Sequence, residues 1–451
     1  MSLNDEQGSV LASVLLMLVV LVTLFVSVLS YAVSRYSVRI AEKNRLVAMH
    51  VAEAGMIRAS RLISAPYRHA QIPVWTAPNG ATAEVKLRPW GPLLLVESIG
   101  SFANQKVRRY GFLGSRPPPM FRAAVSVGDE NTPLVVANNT TIIGDVNTGP
   151  LGITKGRYRG RGVDDGFLQG RNVIATSVTI PGIDTSLLAW YDDTVRSKRT
   201  NPDELLEGPL IVNVESDATV FSHRIVRVKN GIVINGASLE SLSPGTILIS
   251  ESDMVISGTS HINGPIELIA EGSIIVSDSC VIDAALLVAQ DSVILLGDVR
   301  FKGVVLAGKK VTIRDRVTMS YPSLAVVATK ENVYSPGELS VNTSQSCEGS
   351  FYVVSQGGPN LLADRNLLYV DAVATLTGYA VSTRYAEIRG RIHGSIAAEA
   401  FYFEDPPTTY INWLNNTYAD RSRLTYPGAL PVLETKSSQP GLRILRTFEE
   451  L

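Results

Sequence analysis

Cysteine is nearly absent: Cys280 and Cys347 are the two in 451 residues. Two thiols are too few for a disulfide scaffold, and a single bridge between them would need an oxidising compartment. Cys280 stands in the apolar run VSDSCVIDAA, which reads as a buried free thiol, with pairing to Cys347 left open. Histidine is scarce too. His50, His69, His223, His261 and His393 share no ligand spacing, and neither C-x-x-C nor H-E-x-x-H occurs. No metal or cofactor is expected. The phosphate-cradling P-loop and the G-x-S-x-G nucleophile elbow are also missing. An excess of one charge is lacking as well: 41 Lys and Arg face 42 Asp and Glu, a formal net of −1. That balance gives no basic face for nucleic acid.

What is present is apolar. Hydrophobic residues make up 45% of the chain and charged ones 18%, while 36 Gly and 23 Pro imply many turns. The length allows two or three domains. From Gln7 to Ser34 there is no charge at all, and Val10 to Val33 is long enough, at about 36 Å of helix, to span a bilayer. A cleaved secretory signal starts basic and has a shorter core with a small-residue cut site after it. Here the start, MSLNDEQG, is acidic and the core is too long. The helical pattern continues without proline to about Ser64. Val38, Ile40, Leu46, Val47, Val51, Ala54, Ile57 and Leu62 fall mostly at three- and four-residue spacing, the period of an amphipathic helix. One helix of roughly 80 Å is expected, apolar all round and then amphipathic, with Pro66 marking its end.

EQGSVLASVLLMLVVL, followed by AEKNRLVAMHVAEAGMIRASRLI, resembles the PilX-type N-terminal domain of type IV pilus assembly proteins and, more broadly, the class III prepilin signal. The resemblance implies a leader of residues 1–8, cut between Gly8 and Ser9 by a prepilin peptidase. It implies a retained helix over 9–64, transmembrane at 10–33, and methylation after cleavage. Two features depart from it. Ser13 occupies the fifth mature position, where major pilins carry Glu, which points to a minor or tip subunit. The leader has no Lys or Arg, and Arg35, Arg39, Lys43 and Arg45 follow the apolar run. Charge asymmetry alone would place the C-terminal part in the cytoplasm. The resemblance implies the periplasm or cell surface, with a single pass through the inner membrane. A plain uncleaved anchor stays open.

ATAEVKLRPW, LLLVESIG and QKVRRYGFLG read as a three-stranded antiparallel meander, the small head of a pilin over 65–115. RPPPM at 116–120 reads as a stiff linker. From about Ile225 the chain can be written as rungs of near-constant length. In IELIAEGSIIVSDSCVIDAA and LLVAQDSVILLGDVRFKG, for example, short β-branched runs alternate with Gly, Asp and Ser. Such a period argues for a parallel β-helix over 121–405, with Ile274, Val293 and Val311 in one stacked column. LVVANNTTIIGDVNTG reads as an early rung. LLYVDAVATLTGYAVSTRYAEIRGRIHGSIAAEAFYFED reads as a resumption of the stack, with a bactofilin-like texture. Residues 150–204 read as an inserted Gly-rich basic loop and a helix capped by Asp184 or Thr185. Residues 406–451 read as a helix, TTYINWLNNTYADRSRL, and a tail. The fold class is α+β and membrane-anchored.

Candidate chemistry is thin. Arg157, Arg159 and Arg161 in GRYRGRG could meet phosphate or an anionic glycan, or be a solvated loop. A glycan-cleaving β-helix would need clustered carboxylates. Asp278, Asp283, Asp291 and Asp298 lie in consecutive rungs, mostly at turn positions where Asp is ordinary. Tyr402, Phe401 and Phe403 read as strand packing rather than a sugar platform. The expectation is a non-enzymatic minor pilin or pseudopilin-like subunit of a type IV pilus or type II secretion-like system, serving assembly or adhesion. Its implied partners are other pilins, the prepilin peptidase and the inner-membrane assembly platform, with a surface glycan or protein as ligand and no nucleic acid. An anchored β-helix scaffold unrelated to pili, and an envelope polysaccharide-active enzyme, are the alternatives.

Overall fold

The computed structural model describes residues 3–63, 72–129, 131–175, 177–213, 225–239, 245–329, 336–355, 366–424, 429–434 and 442–449, with side chains from Ala12 onward except those of Ser355, Phe448 and Glu449. Pro66, His69, His223, Pro427 and the first two residues lie outside the described residues.

Helix α1 runs from Leu3 to Leu62, about 90 Å at 1.5 Å per residue. Its first half touches nothing: Leu16 is 68% and Phe25 66% exposed, and Val14, Leu21 and Leu29 are similarly bare. Its second half docks through Ala48, Val51, Ala52, Met56 and Ala59, which recur at three- and four-residue steps. This corrects the expected stripe, because Ile40, Leu46, Ile57 and Leu62 stay exposed. Small residues win the contact because helix and sheet approach backbone to backbone. A Cβ on Gly100 would lie 2.0 Å from the Ala48 carbonyl oxygen, and one on Gly55 would lie 2.9 Å from the Ala83 Cβ.

The docking surface is an antiparallel sheet of β1 (Trp75–Thr76), β2 (Thr82–Trp90), β3 (Leu93–Phe102) and β4 (Gln105–Ser115). The meander is therefore as expected, with one strand more at each side. The C-terminal strand, Leu442–Glu449, returns to pair antiparallel with β4, Leu442 opposite Ser115. An Arg109–Glu53 ion pair of 3.2 Å ties sheet to helix. The Pro-rich stretch leads straight into packing instead of spacing two bodies apart. Residues Pro119–Arg122 form a 3₁₀ turn whose Phe121 is buried against Tyr379, ring centroids 4.8 Å apart.

The remainder is a parallel solenoid with three faces, each rung passing through all three in turn. On the first face Leu248 pairs with Leu268, Leu268 with Leu287, and Leu287 with Val305. On the second Ile274 pairs with Val293 and Val293 with Val311, the expected column. On the third Ile262 pairs with Ile282 and Ile282 with Phe301. These side chains are buried in the interior. Second-face strands alternate buried and part-exposed residues, as in Met254–Ser257. First-face strands such as Leu324–Thr329 are buried at every position. The alternation is lost there because both sides of that face are covered. Its outer side carries the head, whose Trp90, Leu93 and Phe112 pack among Leu286, Val304 and Leu324.

Rung order is not chain order. The rung that begins at Val125 stacks on the late one, Val125 opposite Ile396, and Val146 then stacks on Val125. The opposite end of the stack is Glu204–Leu206, which pairs with Ile225–Val228. Between these ends lie roughly a dozen strand spacings of about 4.8 Å. Helix α2 (Thr185–Thr200) is part of the crossover that returns the chain along the first face. Asp184 caps it by accepting from the N–H groups of Ser186 and Leu187. Its Tyr191 and Lys198 reach Glu267, which is fully buried; the Lys198 nitrogen lies 3.4 Å from the carboxylate. The helix expected at TTYINWLNNTYADRSRL is instead three short strands, Thr408–Ile411, Trp413–Asn415 and Tyr418–Asp420, with a 3₁₀ turn at Arg421–Arg423. Asn412 and Asn416 sit at φ 56°, a left-handed conformation that breaks a helix and turns a strand. The segment completes the rung whose first-face strand is Ile396–Ala398, and its Ala419 stacks one rung on from Ile392.

Candidate functional site

Two features are not spent on holding the fold together. The first is α1 itself. Gly8 and Ser9 fall within its span, in the part whose side chains are not described. The exposed apolar half from Ala12 onward is long and apolar enough to cross a membrane.

The second lies on the second face of the solenoid, near the end where the early and late rungs meet. There the basic loop forms a hairpin, Arg157–Tyr158 paired with Arg161–Gly162. Its Tyr158 ring packs edge-on against Phe403, centroids 5.1 Å apart, and its hydroxyl donates to Asp405. Arg159 clamps both oxygens of Asp405 at 2.8 and 3.0 Å. Hydrogen bonds from Tyr158 and then Arg159 hold the Asp405 carboxyl below the usual carboxylate range, and the same bond raises Tyr158. Arg157 and Arg161 are exposed, and no described residue pairs with either. The three arginines thus separate: one fastens the hairpin and two face solvent.

The hairpin rests beside a strip of rings. Tyr410 lies 4.7 Å from Trp413 and 5.8 Å from Phe403, and Tyr385 lies 5.9 Å from Tyr402. Arg389 sits 5.4 Å from the Phe403 ring and donates to Glu387 and to the Glu404 carbonyl. Tyr402 donates to Glu404 at 3.2 Å. Phe401 and Phe403 are buried, as strand packing requires, while Tyr385, Tyr402, Tyr410 and Trp413 are half-exposed. Reading Thr408–Leu424 as a helix hid Tyr410 and Trp413. The run of Thr, Tyr, Ile and Trp is a β-propensity signal that could have found them.

The carboxylates weighed for catalysis scatter. Asp283 pairs with Arg446 of the C-terminal strand and Asp291 with Lys309. Asp278 accepts from the Gly258 N–H, and its carbonyl accepts from the Asp298 N–H. Among the described residues no group of three or more His, Cys, Asp or Glu side chains is placed to hold a metal ion. Cys280 and Cys347 are free and buried, and burial pushes their thiols up to about 11 and about 12.

Fold and surface together define an α+β protein in which one long, half-bare helix carries a small antiparallel sheet and a parallel β-solenoid. No family model and no curated protein matches the chain. A solved structure it is similar to is the crystal structure of the competence-associated pilin ComZ from Thermus thermophilus. The two share 10% sequence identity, the match covers 90% of this chain and 98% of that one, and the TM-score is 0.19. Similarity at that level carries no inference about this chain.

Proposed function

We propose that the protein is a minor pilin or pseudopilin-like subunit, structural rather than enzymatic. In this reading α1 anchors it in the inner membrane, packs with other pilins, and holds the solenoid outside the cytoplasm for assembly or adhesion. The observation that carries the reading is the division of α1. Its first half exposes Leu, Val and Phe on every side, while its second half is held to a sheet by a face of small residues. An isolated apolar surface of that length is stable only in lipid or among like helices. The prepilin peptidase and the assembly platform are the further partners this reading requires.

The test is processing. Co-expression with a prepilin peptidase is expected to remove residues 1–8 and leave Ser9 as the mature N-terminus, read by mass spectrometry, and Gly8→Asp is expected to block this. Reporter fusions after Ser115 are expected to be active outside the cytoplasm. An intact N-terminus in membranes with active peptidase replaces this reading with an uncleaved anchor, and reporter activity confined to the cytoplasm gives instead the orientation that the charges following the apolar run favour.

A further inference from the structure

We infer that the aromatic strip on the second solenoid face is a binding site for an acidic oligosaccharide. Its sugar rings would lie on Tyr410 and Trp413, and its carboxylate or sulfate would meet Arg161.

Four observations converge on this chemistry. The first is the way the rings are held. Tyr410 and Trp413 are inclined at 49° with centroids 4.7 Å apart, so their faces form a shallow cradle rather than a stacked pair. Tyr385 and Tyr402, 5.9 Å apart, form a separate pair on the other face of the ribbon, because Tyr402 stands opposite Ile411 while Phe403 stands opposite Tyr410. The carbon-bound hydrogens of a pyranose face are apolar and fit such ring faces.

The second is rigidity. Each ring stands on a strand of the stack or is braced by an edge-on neighbour, as Tyr158 braces Phe403 and Tyr410 at 5.1 and 6.1 Å. A preformed platform loses little entropy on binding.

The third is the polar rim. In the two-residue hairpin Tyr158 is the cross-strand partner of Arg161, so both project from the same face, and Tyr158 faces the strip. Asp405 is saturated by Tyr158 and Arg159, and Glu387 by Arg389. Arg161 is left as an unpaired guanidinium fork beside the rings, complementary to an anionic group.

The fourth is what the surface lacks. A protein partner would require a wide patch, about 800 Å² per side, whose centre is depleted of charge. The rings here are bordered by the charged Arg389, Glu404 and Asp405. Ile411 is the one large aliphatic side chain exposed along the described residues 366–424 apart from Val373.

The inference stands on the solenoid alone and does not require the N-terminal processing proposed above. It is tested on the full, uncleaved chain in detergent micelles by isothermal titration with oligogalacturonate, using cello-oligosaccharide of equal length as the neutral arm. The acidic oligomer is expected to bind more tightly than the neutral one. Tyr410→Ala is expected to weaken binding of both by about tenfold, while a cooperative thermal transition shows that the chain stays folded. Arg161→Ala, on an exposed hairpin, is expected to abolish the preference for the acidic arm while keeping neutral binding. Absence of binding to either oligomer at millimolar concentration overturns the inference. So does equal affinity for the two arms in the wild type, or binding that both variants leave intact.

Discussion

Gly100→Ala adds one methyl group and should loosen the helix from the head. Gly100 lies in β3, beneath the small-residue face of α1. The new Cβ would sit 2.0 Å from the Ala48 carbonyl oxygen and 2.8 Å from the Ala52 nitrogen. Ordinary contacts begin near 3.4 Å, and both neighbours are helix backbone, which cannot swing aside as a side chain can. The helix must retreat by about an ångström, or the strand must bend. Overpacking of this kind costs about 1–3 kcal/mol. A gap of about 1 Å along Val51, Met56 and Ala59 also forfeits part of their dispersion energy. The melting temperature should fall by several degrees. Trypsin should then cut sooner after Arg58, whose side chain is already exposed while its helix lies against the sheet. Gly208→Ala is the control. Nothing lies within 4 Å of its added Cβ, so the change should be neutral or stabilise by about 0.4–1 kcal/mol through the unfolded chain. Equal melting temperature and equal trypsin resistance for the two variants would refute the close-packing argument.

The other expectations concern the solenoid. Val293→Asp puts a charge into the interior column between Ile274 and Val311 and should cost several kcal/mol. Asp291→Asn, at a half-exposed turn paired with Lys309, should change stability by less than about 0.5 kcal/mol in denaturant titrations. Lys198→Met leaves Glu267 buried without its cation and should cost about 3–5 kcal/mol, whereas Lys198→Met with Glu267→Leu should recover most of that loss; a double-mutant cycle measures both. Cys280 and Cys347, buried and raised to about 11 and about 12, should resist iodoacetamide at pH 8 in the folded chain and react once it is denatured. The Asp405 clamp has a pH sign. Its carboxyl is depressed by Tyr158 and Arg159, so its contribution is present above the unfolded value of about 4 and is lost as pH falls through the lower folded value. Hydrogen-exchange protection of residues 157–162, relative to the unfolded chain, should therefore fall below about pH 4, and Asp405→Asn should lose it at neutral pH as well.

Much of this architecture could be read from local pattern. A chargeless run of helix length and a three-strand alternation each need only nearest neighbours in the chain to be recognised. A rung length that barely changes places Ile274, Val293 and Val311 in register without any knowledge of the surroundings, because parallel strands one rung apart must stack like on like. The cap at Asp184 is equally local. What sequence could not supply was every decision made by a distant partner. The buried face of α1 is the one with the smallest residues, since the sheet beneath it has Gly100 where a side chain would otherwise stand. The segment Leu442–Glu449 is a strand because β4 offers it an open edge, with Leu442 opposite the far-distant Ser115. The run containing Tyr410 and Trp413 carries helix-like spacing, yet the rung it completes and two left-handed asparagines make it strand. The stacking of Val125 on Ile396 has no local trace at all. That pairing brings the arginine hairpin to the aromatic strip, and it exists only because the chain crosses the length of the solenoid and winds back to where it began.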